Sequence, residues 1–278
     1  MKSIWTCDGV FCKNAEIDGI FSDRGFIYGH RVMTTALVQN NKVIDLERHL
    51  SRLEDMAQSY GLGTGFRRDV ISFELDGILS AYPQGRAACR IYLTAGEGRL
   101  NDPIQNVRKW IQIEPLSKLS QSDIKLKTVM DSHWRRGPHI KTGLYQEQLI
   151  GQMKAKSSGF DDVLWCNSDQ EFCETTTANI FLLGREGDLV EIATPPVGSG
   201  LLLGVTRQRI MELLNAAKIP VTERIIYKDE LARFDEGFVT SSLSGLRPIS
   251  QIDNHKLHSN RHQSVFTHIK RLYDAWMI

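Results

Sequence analysis

Short stretches of β-type pattern alternate with amphipathic helical pattern along the whole chain, which restricts the fold to a mixed α/β or α+β class. The plainest helix runs through Leu46, His49, Leu50, Leu53 and Met56 or Ala57, whose spacing gives one apolar face. Asp45 stands where an N-cap belongs, and Gly61 where a C-cap belongs. Ahead of it, Ala36 to Gln39, Asn40-Asn41 and Lys42 to Leu46 read as strand, tight turn and strand. Ile4 to Phe11, Ala15 to Phe21, Ala88 to Thr94 and Val107 to Ile113 have β-like pattern, and Val70 to Ala81 reads as a helix ending before Pro83. Farther on, helices are expected over Leu144 to Gly159 and Thr206 to Lys218. Strands are expected at Asp162 to Trp165, around Glu174, at Asn179 to Leu183 and at Phe238 to Ser242. The polar, small-residue segment Glu114 to Ser122 reads as a connector. It predicts a smaller N-terminal α+β domain over residues 1–118 and a larger domain over 119–278.

Composition sets limits on function. A formal net charge of +1 gives no electrostatic case for nucleic acid or an anionic membrane. No segment approaches the ~20 apolar residues of a membrane span, and the first nineteen residues lack the apolar run of a signal peptide. Cys7, Cys12, Cys89, Cys166 and Cys173 are odd in number and scattered, which reads as reduced thiols in a cytoplasm rather than a disulfide frame or zinc site. His255, His258, His262 and His268 have the spacing of a polar terminal helix, so no metal site is expected.

Six segments, in order, carry a family resemblance: DRGFIYG (23–29), ERHLSRL (47–53), HIKTGLY (139–145), ETTTANIF (174–181), GVTRQRIMELL (204–214) and FVTSSLSGLRPISQID (238–253). Together they resemble the class IV aminotransferases, the fold-type IV enzymes of pyridoxal 5'-phosphate (PLP). That family includes branched-chain and D-amino acid aminotransferases and aminodeoxychorismate lyases. The resemblance implies a two-domain enzyme with PLP in the cleft between domains, a small-molecule amino substrate and a homodimer.

It also implies residue roles. Lys141 matches the lysine that binds PLP covalently and moves a proton at the substrate Cα; read alone, it is a surface lysine like most. Glu174 matches the carboxylate that keeps the pyridine nitrogen protonated. Arg52 matches the phosphate-binding arginine, since a guanidinium fork suits phosphate oxygens. Gly204-Val205-Thr206 opens a helix whose N–H groups suit the same anion, although simple capping by Thr206 also explains it. Ser241 and Ser242 supply hydroxyls for that phosphate, and Leu202 packs on the ring face. Tyr145 either hydrogen-bonds the cofactor's phenolic oxygen or is a core tyrosine.

The chain departs from the family pattern in several places. Gly29-His30-Arg31 stands where many members have Gly-Asp-Gly. Ala95 stands where many have an arginine that grips the substrate carboxylate, with Arg31, Arg99 or Arg135 as possible replacements. Met33-Thr34-Thr35 and SSLSGLRPI resemble the lyases, and Thr34 or Thr35 is expected to assist proton delivery. These features favour a lyase that converts aminodeoxychorismate to p-aminobenzoate and pyruvate. An aminotransferase of branched-chain or D-amino acids is the alternative, and a degenerate binding protein the second.

Overall fold

The computed structural model describes residues 4–12, 20–82, 85–117, 122–131, 140–186, 189–259 and 264–277, and all counts and absences refer to these. The chain divides into two compact units: Met1–Leu119 with Ile140–Leu144, and Ser120–His139 with Tyr145–Ile278.

In the first unit, six described strands form one antiparallel sheet ordered β2-β1-β6-β5-β3-β4. They are β1 (Ile4–Cys7), β2 (Val10–Phe11), β3 (Arg31–Gln39), β4 (Lys42–Val43), β5 (Ala87–Thr94) and β6 (Arg108–Pro115). The one-turn helix α1 (Arg24–Ile27) precedes β3, and α2 (Leu46–Ser59) and α3 (Arg68–Ala81) follow β4. Asn40 and Asn41 both adopt positive φ (51° and 60°), the conformation a two-residue hairpin turn requires. Leu50, Leu53, Met56 and Ala57 are buried along one stripe of α2, which packs on β3. Each such leucine contributes about 1.5–3 kcal/mol of burial.

Two local expectations are corrected here. Asp45 makes no capping hydrogen bond: its backbone is left-handed (φ 53°, ψ 34°) rather than extended, and its carboxylate lies 3.6 Å from Arg48 Nε. Of the expected strand over 15–21, Ile20 opens a 3-10 turn instead, and residues 15–19 lie outside the described ones.

The second unit holds β7 (Ile124–Met130), α4 (Gln146–Ser157), β8 (Asp162–Cys166), β9 (Phe172–Thr175), β10 (Asn179–Glu186), β11 (Leu189–Thr194), α5 (Val205–Ala216), β12 (Thr222–Glu223), β13 (Phe234–Ser241), β14 (Gly245–Ile252), β15 (His255–Lys256) and α6 (Val265–Trp276). Neighbours β10-β13-β14-β7-β8-β9 pair in turn, and β9 pairs back to β10, closing a six-stranded ring. Phe172, Ile180, Leu182, Val239 and Ile249 share one core, while the alternate residues Phe181, Leu183 and Phe238 meet Ile210, Phe266 and Ile269 of α5 and α6 in another. The histidine-rich tail is not a polar helix. His255 lies in β15, His258 in the loop after it and His268 in α6, whose Phe266, Ile269 and Tyr273 are buried; His262 lies outside the described residues. No described helix is long and apolar enough to cross a membrane.

Candidate functional site

In the second unit, one hydrogen-bond network ties both ends of the ETTTAN run to Leu202, just ahead of the segment that opens at Gly204. Glu174, 8% exposed, ends the β9 side of the β9–β10 turn. Its Oε1 accepts from Leu202 N (3.1 Å) and its Oε2 from Asn179 Nδ2 (3.0 Å), and Asn179 Nδ2 also donates to Leu202 O (2.9 Å). Two donors on a buried carboxylate fix its orientation. Gly204 follows, and a Cβ there would stand 1.9 Å from Asn179 Oδ1, so only glycine lets the chain enter α5 beside Asn179.

Gly204 is the N-cap residue of α5, with extended backbone and no side-chain cap. Capping by Thr206 is thereby excluded. The side chains of the first helical residues, Val205, Thr206 and Arg207, are all buried. A buried helix start without a side-chain cap fits an anion held by backbone N–H groups and the positive end of the dipole. One strand away, Thr240 lies opposite Asn179, and its Oγ1 is buried with no partner among the described residues. A buried hydroxyl of this kind is completed by an ordered water or by a polar ligand. By strand alternation Thr240 shares the α5 side with Phe238. Ser241 instead lines a cavity of about 310 Å3 with Thr177, Lys156 and Arg247, and Ser242 sits in the turn that follows. Leu202, Val205, Thr206 and Glu174 are thus brought together, and Asn179 and Thr240 join them. Sequence reasoning assigned no role to those two, although Asn179 lies five residues after Glu174 in the quoted ETTTAN run.

In the first unit, DRGFIYG folds around a buried pair. Asp23 Oδ1 accepts from Gly25 N (2.7 Å) and Oδ2 from the Thr94 hydroxyl (2.6 Å). Arg24, 1% exposed, donates to the carbonyls of Ala95 (3.0 Å) and Asp102 (2.8 Å), tying down the loop after β5. On β3 and α2, Thr34 is fully buried between two partners: Oγ1 lies 2.8 Å from His49 Nδ1 and accepts from Arg52 Nη2 at 3.0 Å. A guanidinium only donates, so Thr34 Oγ1 accepts from Arg52, while its bond to His49 Nδ1 runs in the direction the imidazole tautomer sets. Thr34 orients Arg52 through this contact. His49, three residues before Arg52 on the same helix face, had no assigned role, and that i, i+3 spacing was the available signal.

Lys141 lies in the short segment that packs with this unit. β4 pairs only with Val38 and Gln39, and farther back on β3 Met33 N donates to Lys141 O (2.9 Å). Lys141 N in turn points at Met56 Sδ of α2 (3.3 Å). Tyr145, half-buried, holds the N-cap position of α4 in the second unit. Arg99 is exposed, and Arg135 and His139 lie outside the described residues.

Burial first, then the Arg52 guanidinium and the Lys141 ammonium, hold the His49 imidazole well below its usual pKa, so it is neutral in the folded protein. An unfolded histidine takes up a proton near pH 6.5, so folding opposes that uptake. His49 thus contributes stability that is complete above pH 6.5 and lost as pH falls toward the folded value. Denaturant titrations of the native protein should lose up to about 1.4 kcal/mol per pH unit below that point from this residue, and His49→Gln should flatten the slope. An unchanged slope would contradict the assignment.

The family description Amino-transferase class IV matches residues 31–252. Over 258 residues, 91% of this chain and 89% of its own length, a D-alanine aminotransferase of Bacillus licheniformis is 23% identical. The branched-chain amino acid aminotransferase of Escherichia coli superposes with TM-score 0.86 at 19% identity, covering 98% of this chain and 93% of its own. A Legionella pneumophila protein provisionally named a 4-amino-4-deoxychorismate lyase gives 0.83 at 24% identity, covering 94% and 96%. The chain belongs to the class IV aminotransferase family and has its fold. It is a PLP-dependent enzyme of that family.

Proposed function

We propose that the chain is a PLP-dependent lyase that converts aminodeoxychorismate to p-aminobenzoate and pyruvate. In this reading Glu174 accepts from the protonated pyridine nitrogen and Leu202 covers the ring. The α5 N-terminus, Thr206, Thr240, Ser242 and Arg52 hold the phosphate, whereas Ser241 faces the other side of β13, and Tyr145 donates to the phenolic oxygen. PLP, when bound, supplies an electron sink for the charge left when the Cα proton departs. Lys141 takes that proton as general base and returns it as general acid. The electron pair aromatises the substrate ring as its bond to the enolpyruvyl oxygen breaks, and the released enol becomes pyruvate. The proposal includes a homodimer acting in the cytoplasm.

The observation that carries the choice of reaction is position 95. Ala95 is fully buried and offers no cation, and of its expected replacements Arg31 is engaged with backbone carbonyls. A transaminase must orient two different acids in one site, and orientation is worth several kcal/mol. The lyase-named structural relative agrees with this reading. The aminotransferase reading is kept alive by the D-alanine and branched-chain enzymes to which the chain is similar. One preparation given aminodeoxychorismate, and separately a panel of amino acids, decides between them. Release of p-aminobenzoate with pyruvate is expected to outrun formation of keto acids; rapid keto-acid formation with no p-aminobenzoate would establish the transaminase.

A further inference from the structure

Arg31 stands in the run that departs from the family pattern, and nothing in the proposed chemistry uses it. Its guanidinium does not point away from the protein. Nε donates to Thr142 O at 3.2 Å and Nη2 reaches Gly143 O at 3.5 Å, the two carbonyls that follow Lys141. The fit is close on both sides. Gly143 has φ +83°, and a Cβ there would stand 2.8 Å from Arg31 Nε, so the backbone runs against the guanidinium where only glycine fits. Two residues along β3, Met33 N holds Lys141 O. The neighbour His30 is fastened too, with Nε2 3.3 Å from Tyr60 O and its ring edge-on to the Tyr60 ring. The β3 terminus is thus anchored to α2 on one side while it grips residues 141–143 on the other.

We propose that Arg31 is a positioning residue that fixes the backbone carrying Lys141. A rigid planar fork holding two successive carbonyls limits how far the lysine's Cα can wander, and a displacement of about 1 Å at a reacting group can cost on the order of a hundredfold in rate. This rests on the reading of Lys141 as the reactive lysine, and it removes Arg31 from the residues that would grip a substrate carboxylate.

Arg31→Ala, Arg31→Lys and Arg31→Gln are to be compared with the native chain by hydrogen exchange without added PLP and by steady-state kinetics with it. In Arg31→Ala, exchange over residues 140–145 should rise about tenfold, the equivalent of one hydrogen bond from a charged donor, with β5 and β6 unchanged. Its kcat should fall about tenfold or more with KM for the amino substrate nearly constant. Arg31→Lys should recover part of both. Should Arg31→Ala fail to fold, Arg31→Gln, with a single amide donor, should show the same pattern in weaker form. Unchanged exchange at 140–145, or a tenfold rise in KM with kcat preserved, would overturn the proposal; the second result would make Arg31 a substrate-binding arginine. If borohydride fixes no cofactor on Lys141 while the exchange effect is present, the reading of Lys141 fails and the clamp stands.

Discussion

Lys141→Ala is expected to lower turnover by roughly ten thousandfold, the upper range for a positioned acid–base group, while the protein folds as before. The contacts that seat this segment are made by main-chain atoms: Met33 N to Lys141 O and Lys141 N to Met56 Sδ. Truncating the half-buried side chain leaves those main-chain bonds in place, so the variant should stay folded. The two effects separate cleanly in one preparation, with turnover read by product release and stability by denaturant titration. A variant that keeps more than about a hundredth of the native rate would mean another base removes the Cα proton.

Glu174→Ala should have the second largest effect, and here chemistry and stability fall together. The substitution leaves Asn179 Nδ2 without one acceptor and Leu202 N without its own, inside a buried network. That costs about 1–3 kcal/mol of stability. It also removes the carboxylate assigned to the ring nitrogen, which should slow Cα deprotonation by about a hundredfold to a thousandfold. Glu174→Gln is not a mild control, because its amide nitrogen must face one of two donors. Single-turnover measurements of proton loss, set beside PLP titration, read the chemical effect directly. Retained PLP with slow proton loss supports the assignment; lost PLP with a normal rate in the loaded fraction would assign Glu174 to retention instead.

Much of the fold was legible because the relevant pattern is local. The α2 stripe, the Asn40-Asn41 turn and Gly61 at φ +74° each follow from a few neighbouring residues. What stayed hidden depends on partners distant in sequence. β7 alternates buried Ile124 and Leu126 with exposed Lys125 and Lys127, yet its identity as a central strand comes from parallel pairing with both β8 and β14. β14 carries Pro248, which argues against a strand until the pairing is known. The segment holding Lys141 packs with the first unit, although it lies past the connector that suggested a boundary.

The candidate site divides in the same way. Motifs pointed to Lys141, Glu174, Arg52 and the start of α5, because each needs a particular residue type. The groups that orient them were not visible: Asn179 holding Glu174, and Thr34 with His49 holding Arg52. Their residue types are common, and only the assembled geometry gives them work. Asp45 shows the converse, a residue of the right type at an N-cap position whose left-handed backbone prevents capping.

The central claim is that Lys141 holds the cofactor, and borohydride reduction of the PLP-loaded protein followed by peptide mapping tests it most directly. The account predicts a single reduced pyridoxyl label on the peptide containing Lys141; a label on any other lysine, or none from a protein shown to bind PLP, would contradict it.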